Sequence, residues 1–568
     1  MPAPAMSCSR RRSCPPSSGR TPTPISCGSS ASVSTALRHA AAVIGLAAVA
    51  TACSGETGDS IPDVVSVDDG GPYDFAEVAP FESSSPVTGV PGDVVEQDCP
   101  ELLAGTGSRC VWVVVPIDRG DPDAGTMGVS VAIRPGTGDQ SLAPLAVLQG
   151  GPGGASSDLA QALPSRPYAQ VLIDQRGVGF GSANFWCPEW QIPLAQILEG
   201  PRDRAESLAS GAFARCSERL KQDPAFVHTS TGAHAADVSD VMAALGYDRW
   251  FLYGVSYGTT IALEVMRDAP AGLAGVVLDG VYPASLDPDV NTAEGAERVM
   301  RELDGECRAD PACSAILASA TGVDGVTMSG LLADLVPRFN ADPVRVAFSA
   351  EETTLFEPFD ALVDGDVVSG VVFQLLYNDF TATLVPGVLA GLEEHDDDDA
   401  AADDGTVTAA RLVAQVATET ASQQAHRGTP ATLAAVTCAE RLPLASGPPA
   451  GTGPFAAAVV GKGLAAFCEP WAIGAAPLPV EPVESDLPVL LISGWFDPIT
   501  PPGYAEEVAQ HLPQATSIVS RSRGHGIWVW GYDSCVDRIV VDFLNEPSAE
   551  LDTACASEDR ALRWQPLR

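Results

Sequence analysis

Basic residues are scarce in this 568-residue chain: 32 Lys and Arg stand against 73 Asp and Glu, a formal net charge of −41. A field of that sign repels nucleic acid and anionic lipid headgroups, which excludes partners gripped through their phosphates. Lysine is nearly absent, and no glycine-rich stretch carries the lysine of a nucleotide-binding P-loop. No run of eighteen apolar residues occurs, so no transmembrane helix is expected. Cys-x-x-Cys pairs and Cys/His clusters are missing, which removes the usual frames for zinc; neither a metal nor a cofactor is expected. No fixed-period repeat is present, so the chain is not a solenoid. Hydrophobic residues at 45% and aromatics at 6% describe an ordinary globular protein with ample core.

The first 95 residues read as address and tether. Ala40 to Ala52 is apolar and follows Arg10, Arg11, Arg12, Arg20 and Arg38, the pattern of a signal peptide over residues 1–52. It ends Ala50-Thr51-Ala52-Cys53, which resembles a bacterial lipobox and makes Cys53 the expected lipidation site. A plain secretory signal cut near Ala52 is the alternative. Residues 1–32 are rich in Ser, Pro and Arg, and a translation start near Val33 suits them better than any fold. Residues 53–95 are acidic and rich in Ser, Gly and Pro, as in a flexible tether. The expected location is the outer face of the cytoplasmic membrane, or outside the cell, with the membrane touched only through the lipid.

Residues 1–52 hold five arginines and no acids, so the remaining chain carries −46. That field attracts cations such as a free α-amine, although a solvated acidic surface is its simpler use. Ten cysteines remain beyond Cys53, an even number in an exported chain, and read as disulfides. They fall in neighbouring couples: Cys99 and Cys110, Cys187 and Cys216, Cys307 and Cys313, Cys438 and Cys468, Cys535 and Cys555. Ten cysteines allow roughly 900 pairings, so nearest-neighbour bonding is one hypothesis among many.

From Cys99 the chain alternates. Val111–Val115 and Val129–Ile133 read as antiparallel entry strands, and Leu145–Leu148 and Val171–Ile173 as short strands buried on both faces. Val238, Val241, Met242 and Leu245 form one helical stripe stopped at Gly246. Gly275–Leu278 is a further strand. Near Pro283 the rhythm turns helical and loop-rich until about Pro482, with an acid run from Glu393 to Asp399 that suits a solvated loop better than calcium. Alternation resumes with Val489–Ile492, Ser517–Ser520 and a closing helix marked by Val536, Ile539, Val540, Phe543 and Leu544. The pattern predicts an α/β fold: a core at 96–283 and 483–568, interrupted by a mainly helical insertion at 284–482.

The chemistry centres on Trp250-Phe-Leu-Tyr-Gly254-Val-Ser256-Tyr-Gly258. Four β-prone residues run into Gly-x-Ser-x-Gly, and a helical run from Ile261 to Arg267 follows, the setting of a nucleophile elbow. A serine nucleophile needs a base. Of seven histidines, His525 in Gly524-His525-Gly526 follows a strand directly, whereas His228, His234, His426 and His511 sit in helical or loop contexts. Asp497 follows the Val489–Ile492 strand, and the order Ser256, Asp497, His525 is that of α/β hydrolases. Thr500 either bonds that carboxylate or caps the next helix. Oxyanion donors are expected from the amide of Tyr257 and from Gly151 in Gln149-Gly-Gly-Pro-Gly-Gly154. A phosphate cradle is the other use of such a loop, but it matches no nucleotide-binding pattern.

Taken together, Gln149 to Gly154, Asp174-Gln175-Arg176-Gly177, Gly254-Val-Ser256-Tyr-Gly258, Asp497-Pro-Ile-Thr500-Pro501 and Gly524-His525-Gly526 resemble the α/β-hydrolase serine exopeptidases of the prolyl and tripeptidyl aminopeptidase family, exported actinobacterial type. The resemblance spans roughly residues 95–560. It implies an α/β-hydrolase fold with a capping insertion, and cleavage one to three residues from a free peptide N-terminus without a metal. It also implies acidic cap residues that hold the substrate amine, for which Glu440 and Glu469 are the candidates, structural ion pairing being the other role for each. Arg176 is expected to support the loops. Gln149 stands where prolyl enzymes often carry His, which favours the tripeptidyl type. An esterase or lipase on the same triad, and a surface binding protein without chemistry, are the rival readings. No oligomeric state is implied.

Overall fold

Short, doubly buried apolar runs can only pair side by side, and they do so in one nine-stranded sheet of order β1-β2-β3-β5-β4-β6-β7-β10-β11. Its strands are β1 Val94–Gln97, β2 Arg109–Pro116, β3 Thr126–Arg134, β4 Leu145–Leu148, β5 Gln170–Ile173, β6 Trp250–Val255, β7 Leu273–Asp279, β10 Val489–Gly494 and β11 Ala515–Ser520. β1, β2, β3 and β5 pair antiparallel in succession. From β5 through β4, β6, β7, β10 and β11 every pairing is parallel. This is the α/β-hydrolase fold. The computed structural model describes residues 87–138, 142–353, 355, 357–394, 408–426, 429–447, 453–455, 463–529, 533–558 and 561–566. The signal peptide, Cys53, most of the expected tether and the acid run from His395 onward lie outside them.

Period-two alternation sorts the core. Ala146 and Leu148 face one apolar cluster, and Leu145 and Val147 face the other. The first cluster is closed by helices α3 (Thr231–Ala244) and α4 (Tyr257–Asp268), the second by α11 (Ser534–Asn545). On α11 the stripe Val536, Ile539, Val540, Phe543 and Leu544 is buried, and each such side chain contributes about 1.5–3 kcal/mol. Val540 is fully buried there, so a charge at that position would detach the helix.

Two features differ from the sequence expectation. Order begins before residue 96, because Val94 and Val95 pair with Val113 and Trp112 as an edge strand; four residues are too few to show periodicity. The insertion between β7 and β10 is mainly helical, with α5 (Pro288–Ala309), α6 (Met328–Ala341), α7 (Gly365–Leu376), α8 (Ala409–His426) and α9 (Thr429–Glu440), but it also holds an antiparallel hairpin, β8 (Val344–Phe348) with β9 (Phe359–Val363). A segment from the first half of the chain joins this cover: α1 (Leu194–Glu199) and α2 (Arg202–Leu220). Asp360 N–H donates to Glu199 at 3.0 Å, Arg202 pairs with Asp366, and Phe213 stacks between Trp190 and Trp471. A helix that joins a cover carries the same apolar period as one that flanks a sheet.

All ten cysteines bond as nearest neighbours: Cys99–Cys110, Cys187–Cys216, Cys307–Cys313, Cys438–Cys468 and Cys535–Cys555. Among the described residues no helix is long and apolar enough to cross a membrane. One group of sulfur and acidic side chains converges there, Cys187, Glu189 and Cys216, and its two sulfurs are bonded to each other.

Candidate active site

Strand β6 ends at Val255, and helix α4 begins at Tyr257, so Ser256 occupies a one-residue corner with φ 56° and ψ −127°. A non-glycine residue in that region costs about 1–3 kcal/mol and persists only where its surroundings impose it. Here they do. A Cβ on Gly254 would strike the carbonyl of Gly258, and one on Gly258 would lie 2.5 Å from the carbonyl of Leu148, so both motif glycines are required by close backbone crossings. Ser256 N–H donates to Asp279 O at 2.9 Å, and Thr259 returns its N–H and hydroxyl to Ser256 O at 2.8 and 2.6 Å.

Asp497 and His525 arrive on the loops after β10 and β11. With the proton assigned to Nδ1, His525 donates to Asp497 Oδ2 at 2.8 Å, which leaves Nε2 available. Asp497 is fully buried and accepts further bonds from Ile499 N–H, Thr500 N–H and the Thr500 hydroxyl at 2.9, 2.8 and 2.6 Å. Thr500 thus serves the carboxylate directly and also lies 3.0 Å from His525 Nδ1. Burial pushes the Asp497 carboxyl up, but the His525 charge, its hydrogen bond and the Thr500 donors outweigh that and hold it below the ordinary value. Burial pushes His525 down, and the Asp497 charge and bond, helped by the charge of Asp279, raise it above the ordinary imidazole.

Serine and histidine both lie at the end of β7. Gly280 lies against the imidazole, so that a Cβ there would stand 3.2 Å from Cε1, and its neighbour Asp279 holds Ser256. Among the described residues Ser256 Oγ has no hydrogen-bond partner. Asp497 and His525 are bonded to each other; Ser256 and His525 share the end of β7 as a floor.

The loop at 149–154 passes directly over the serine, where a Cβ on Gly150 would lie 2.7 Å from Ser256 Cβ. Gln175 shapes it. Its Oε1 accepts Gly153 N–H at 2.9 Å, and its Nε2 donates to the carbonyls of Gln149 and Gly150 at 3.0 Å each. Gly151 has φ 112°, and the Gly151–Pro152 bond is cis. Gly150 N–H is taken by the Gln149 side chain, while the N–H groups of Gly151 and Tyr257 have no acceptor among the described residues. Beneath the loop, buried Asp174 accepts from Ser130 and from both donors of Ser157; burial still pushes it up to about 7. Arg176 is fully buried, forked onto Asp237 and donating to the carbonyls of Pro116, Ile117 and His228.

The Glu440 carboxylate is already engaged by Thr231. It is buried at the start of α3 and accepts from Thr231 N–H at 2.7 Å and from the Thr231 hydroxyl, which meets Tyr257 OH at 2.8 Å. Burial raises its pKa, against the Thr231 donors. Glu469 is exposed at the end of a short helix, beside the Cys438–Cys468 bond. Gln175 and Asp279 escaped sequence reasoning: Gln175 stood in a noted motif but has no spacing signal, and Asp279 is simply the last residue of an apolar strand.

Two segments of the chain match family models. Residues 143–315 match the family model of the alpha/beta hydrolase fold, and residues 453–555 that of TAP-like protein. The chain is 26% identical over 257 residues to serine protease Hip1 of Mycobacterium tuberculosis, which covers 42% of this chain and 46% of Hip1. It is 30% identical over 213 residues to the tripeptidyl aminopeptidase of Streptomyces coelicolor, with 32% and 38% covered. A proline iminopeptidase of Neisseria meningitidis is 26% identical over 169 residues, with 29% and 42% covered. The chain therefore spans less than half the length of the curated relatives it matches. The solved proline iminopeptidase of Mycobacterium smegmatis aligns at TM-score 0.36 and 16% identity, covering 77% of this chain and 98% of that one.

Proposed function

We propose that this α/β hydrolase is a serine peptidase that releases short peptides from free N-termini, of tripeptidyl or prolyl type. Ser256 is the nucleophile, His525 the general base and Asp497 the acid that orients it. The observation that carries the reading is the 2.8 Å Asp497–His525 pair beside a serine held in a strained corner. His525 Nε2 takes the Ser256 proton as Oγ attacks the scissile carbonyl, and the imidazolium is stabilised by Asp497. The N–H groups of Tyr257 and Gly151 receive the developing oxyanion. His525 then protonates the leaving amine, the C–N bond breaks, and water repeats the sequence to free Ser256.

Three relatives named as a serine protease, a tripeptidyl aminopeptidase and a proline iminopeptidase support a peptide substrate over an ester. The net charge of −41 favours approach of a free amine. The signal segment before Cys53 and five disulfides support export, with Cys53 as a lipid anchor. The test is a panel of unblocked peptide amides, N-blocked peptides and short acyl esters, run on the wild type and on Ser256→Ala. Hydrolysis confined to unblocked peptides and lost in Ser256→Ala is the expected result. Turnover retained in Ser256→Ala sinks the mechanism, and a preference for esters sinks the peptidase assignment. Cys53→Ser should move the protein from the membrane fraction to the medium.

A further inference from the structure

The nucleophile is held by the core: β6 and α4 form its corner, Asp279 takes its N–H, and Gly150 lies over it. The acid and the base share that core support, since the Asp279 carboxylate also accepts from Ile527 and Trp528 N–H. Each of their loops is gripped by the insertion as well.

On the acid side the grip is α5. Arg298 donates from Nη1 to Trp495 O at 2.9 Å and from Nη2 to Asp497 O at 2.7 Å, two bonds from one planar group onto the main chain that carries the carboxylate. One turn earlier, Gly295 lets α5 lie directly on Pro498, whose carbonyl any Cβ at 295 would strike. On the base side the grip is the end of α7 and the turn after it. His525 N–H donates to Tyr377 O at 2.7 Å, and the Tyr377 ring stands edge-on to the imidazole, 5.5 Å between centroids at 87°. Gly524 packs on the same carbonyl, where a Cβ would lie 2.5 Å from Tyr377 O. Arg523, one residue further back, pairs with Asp379 at 2.9 Å. None of these bonds is needed merely to roof a pocket. They fix the main chain at 495–498 and 523–525 from the side of the insertion, and with it the positions of Asp497 and His525 relative to a serine held by the core alone.

We propose that the insertion is part of the acid–base apparatus: Arg298 is a positioning residue for Asp497, and Tyr377 with Asp379 positions His525. The proposal rests on the serine-hydrolase reading and adds that acid and base reach working geometry only with α5 and α7 seated. A displacement of about 1 Å at the reacting groups costs on the order of a hundredfold in rate, so loosening either grip should act on turnover rather than on binding.

The experiment compares wild type, Arg298→Ala, Arg298→Lys, Asp379→Asn and Ser256→Ala by two readouts. One is kcat and KM on an unblocked peptide amide. The other is the rate of covalent labelling by an alkyl fluorophosphonate, which needs an activated serine but no peptide contacts. Arg298→Ala and Asp379→Asn should lower kcat and the labelling rate together, by roughly tenfold to hundredfold, with KM changed less than about twofold. Arg298→Lys keeps one donor and should recover part of the loss. If Arg298→Ala does not fold, Arg298→Lys and Asp379→Asn carry the comparison, since both retain shape and hydrogen-bonding capacity. Labelling of the variants at the wild-type rate, or an effect confined to KM, overturns the positioning role and leaves the hydrolase reading intact. A wild type labelled no faster than Ser256→Ala overturns the reading beneath it.

Discussion

Asp279 accepts the N–H of Ser256 on its carbonyl at 2.9 Å, while its buried carboxylate accepts from Ile527 and Trp528 N–H, at 3.0 and 2.8 Å, just beyond His525. One residue thus ties the serine's main chain to the histidine loop, with Tyr253 OH as a further donor at 2.8 Å. Burial raises the Asp279 pKa, and these donors oppose it. Asp279→Asn turns an acceptor edge into a donor facing N–H groups. It should cost about 1–3 kcal/mol of stability and slow turnover, as read by thermal unfolding and kcat. An unchanged midpoint with full activity would contradict the tie.

The raised pKa of His525 sets a pH dependence. The base works only when neutral, so kcat/KM should climb with pH through a limb above the ordinary histidine value of about 6.5. For stability, a raised imidazole contributes fully below that ordinary value, and the contribution fades as pH rises through the folded one; the depressed Asp497 contributes above the ordinary carboxylate value and loses it as pH falls. Asp497→Asn should cut kcat by about 10⁴ and move the remaining limb downward. A limb that stays in place on this substitution would exclude Asp497 as the partner.

Gln175 supports the loop at 149–154 through four hydrogen bonds of 2.9–3.3 Å. Gln175→Ala leaves Gly153 N–H and three carbonyls without it, and should lose alignment of the proposed Gly151 donor. We expect kcat to fall by about 10² with a smaller change in KM, measured on the same peptide amide. A thermal unfolding midpoint close to the wild-type value separates local loop damage from general unfolding.

Glu440 offers a contrast, because its carboxylate already serves Thr231. Glu440→Ala strands that N–H and hydroxyl at the head of α3, a cost of about 1–3 kcal/mol. Discrimination between free and blocked N-termini should survive. Loss of that discrimination, with the fold retained, would restore Glu440 as an amine site.

Much of this was legible in the text of the chain because it is written in short range. β4 is predicted residue for residue, and the elbow, Asp497 and His525 each follow a strand of the sheet, where glycine or proline punctuation marks the turn. The grips on those residues were not legible. Arg298 and Asp497 lie 199 residues apart and Tyr377 and His525 148, and no local pattern records a contact between one cap helix and one loop. The hairpin at 344–363 escaped because its strands are five residues each and alternate only partly. The seat of Glu440 escaped because a buried glutamate on Thr231 reads, in sequence, like any acid beside a cysteine.

The parallel half of the sheet is filled from both ends of the chain, with β10 added beside β7 and β11 outermost. On the proposed mechanism, a polypeptide threaded through a membrane only as far as a point between Ser256 and Asp497, or cut short there, has its elbow but neither partner for it. Such a chain is chemically silent. A peptidase arranged in this way cannot digest its own emerging strand, and acquires its cutting power only once both later loops have joined the sheet.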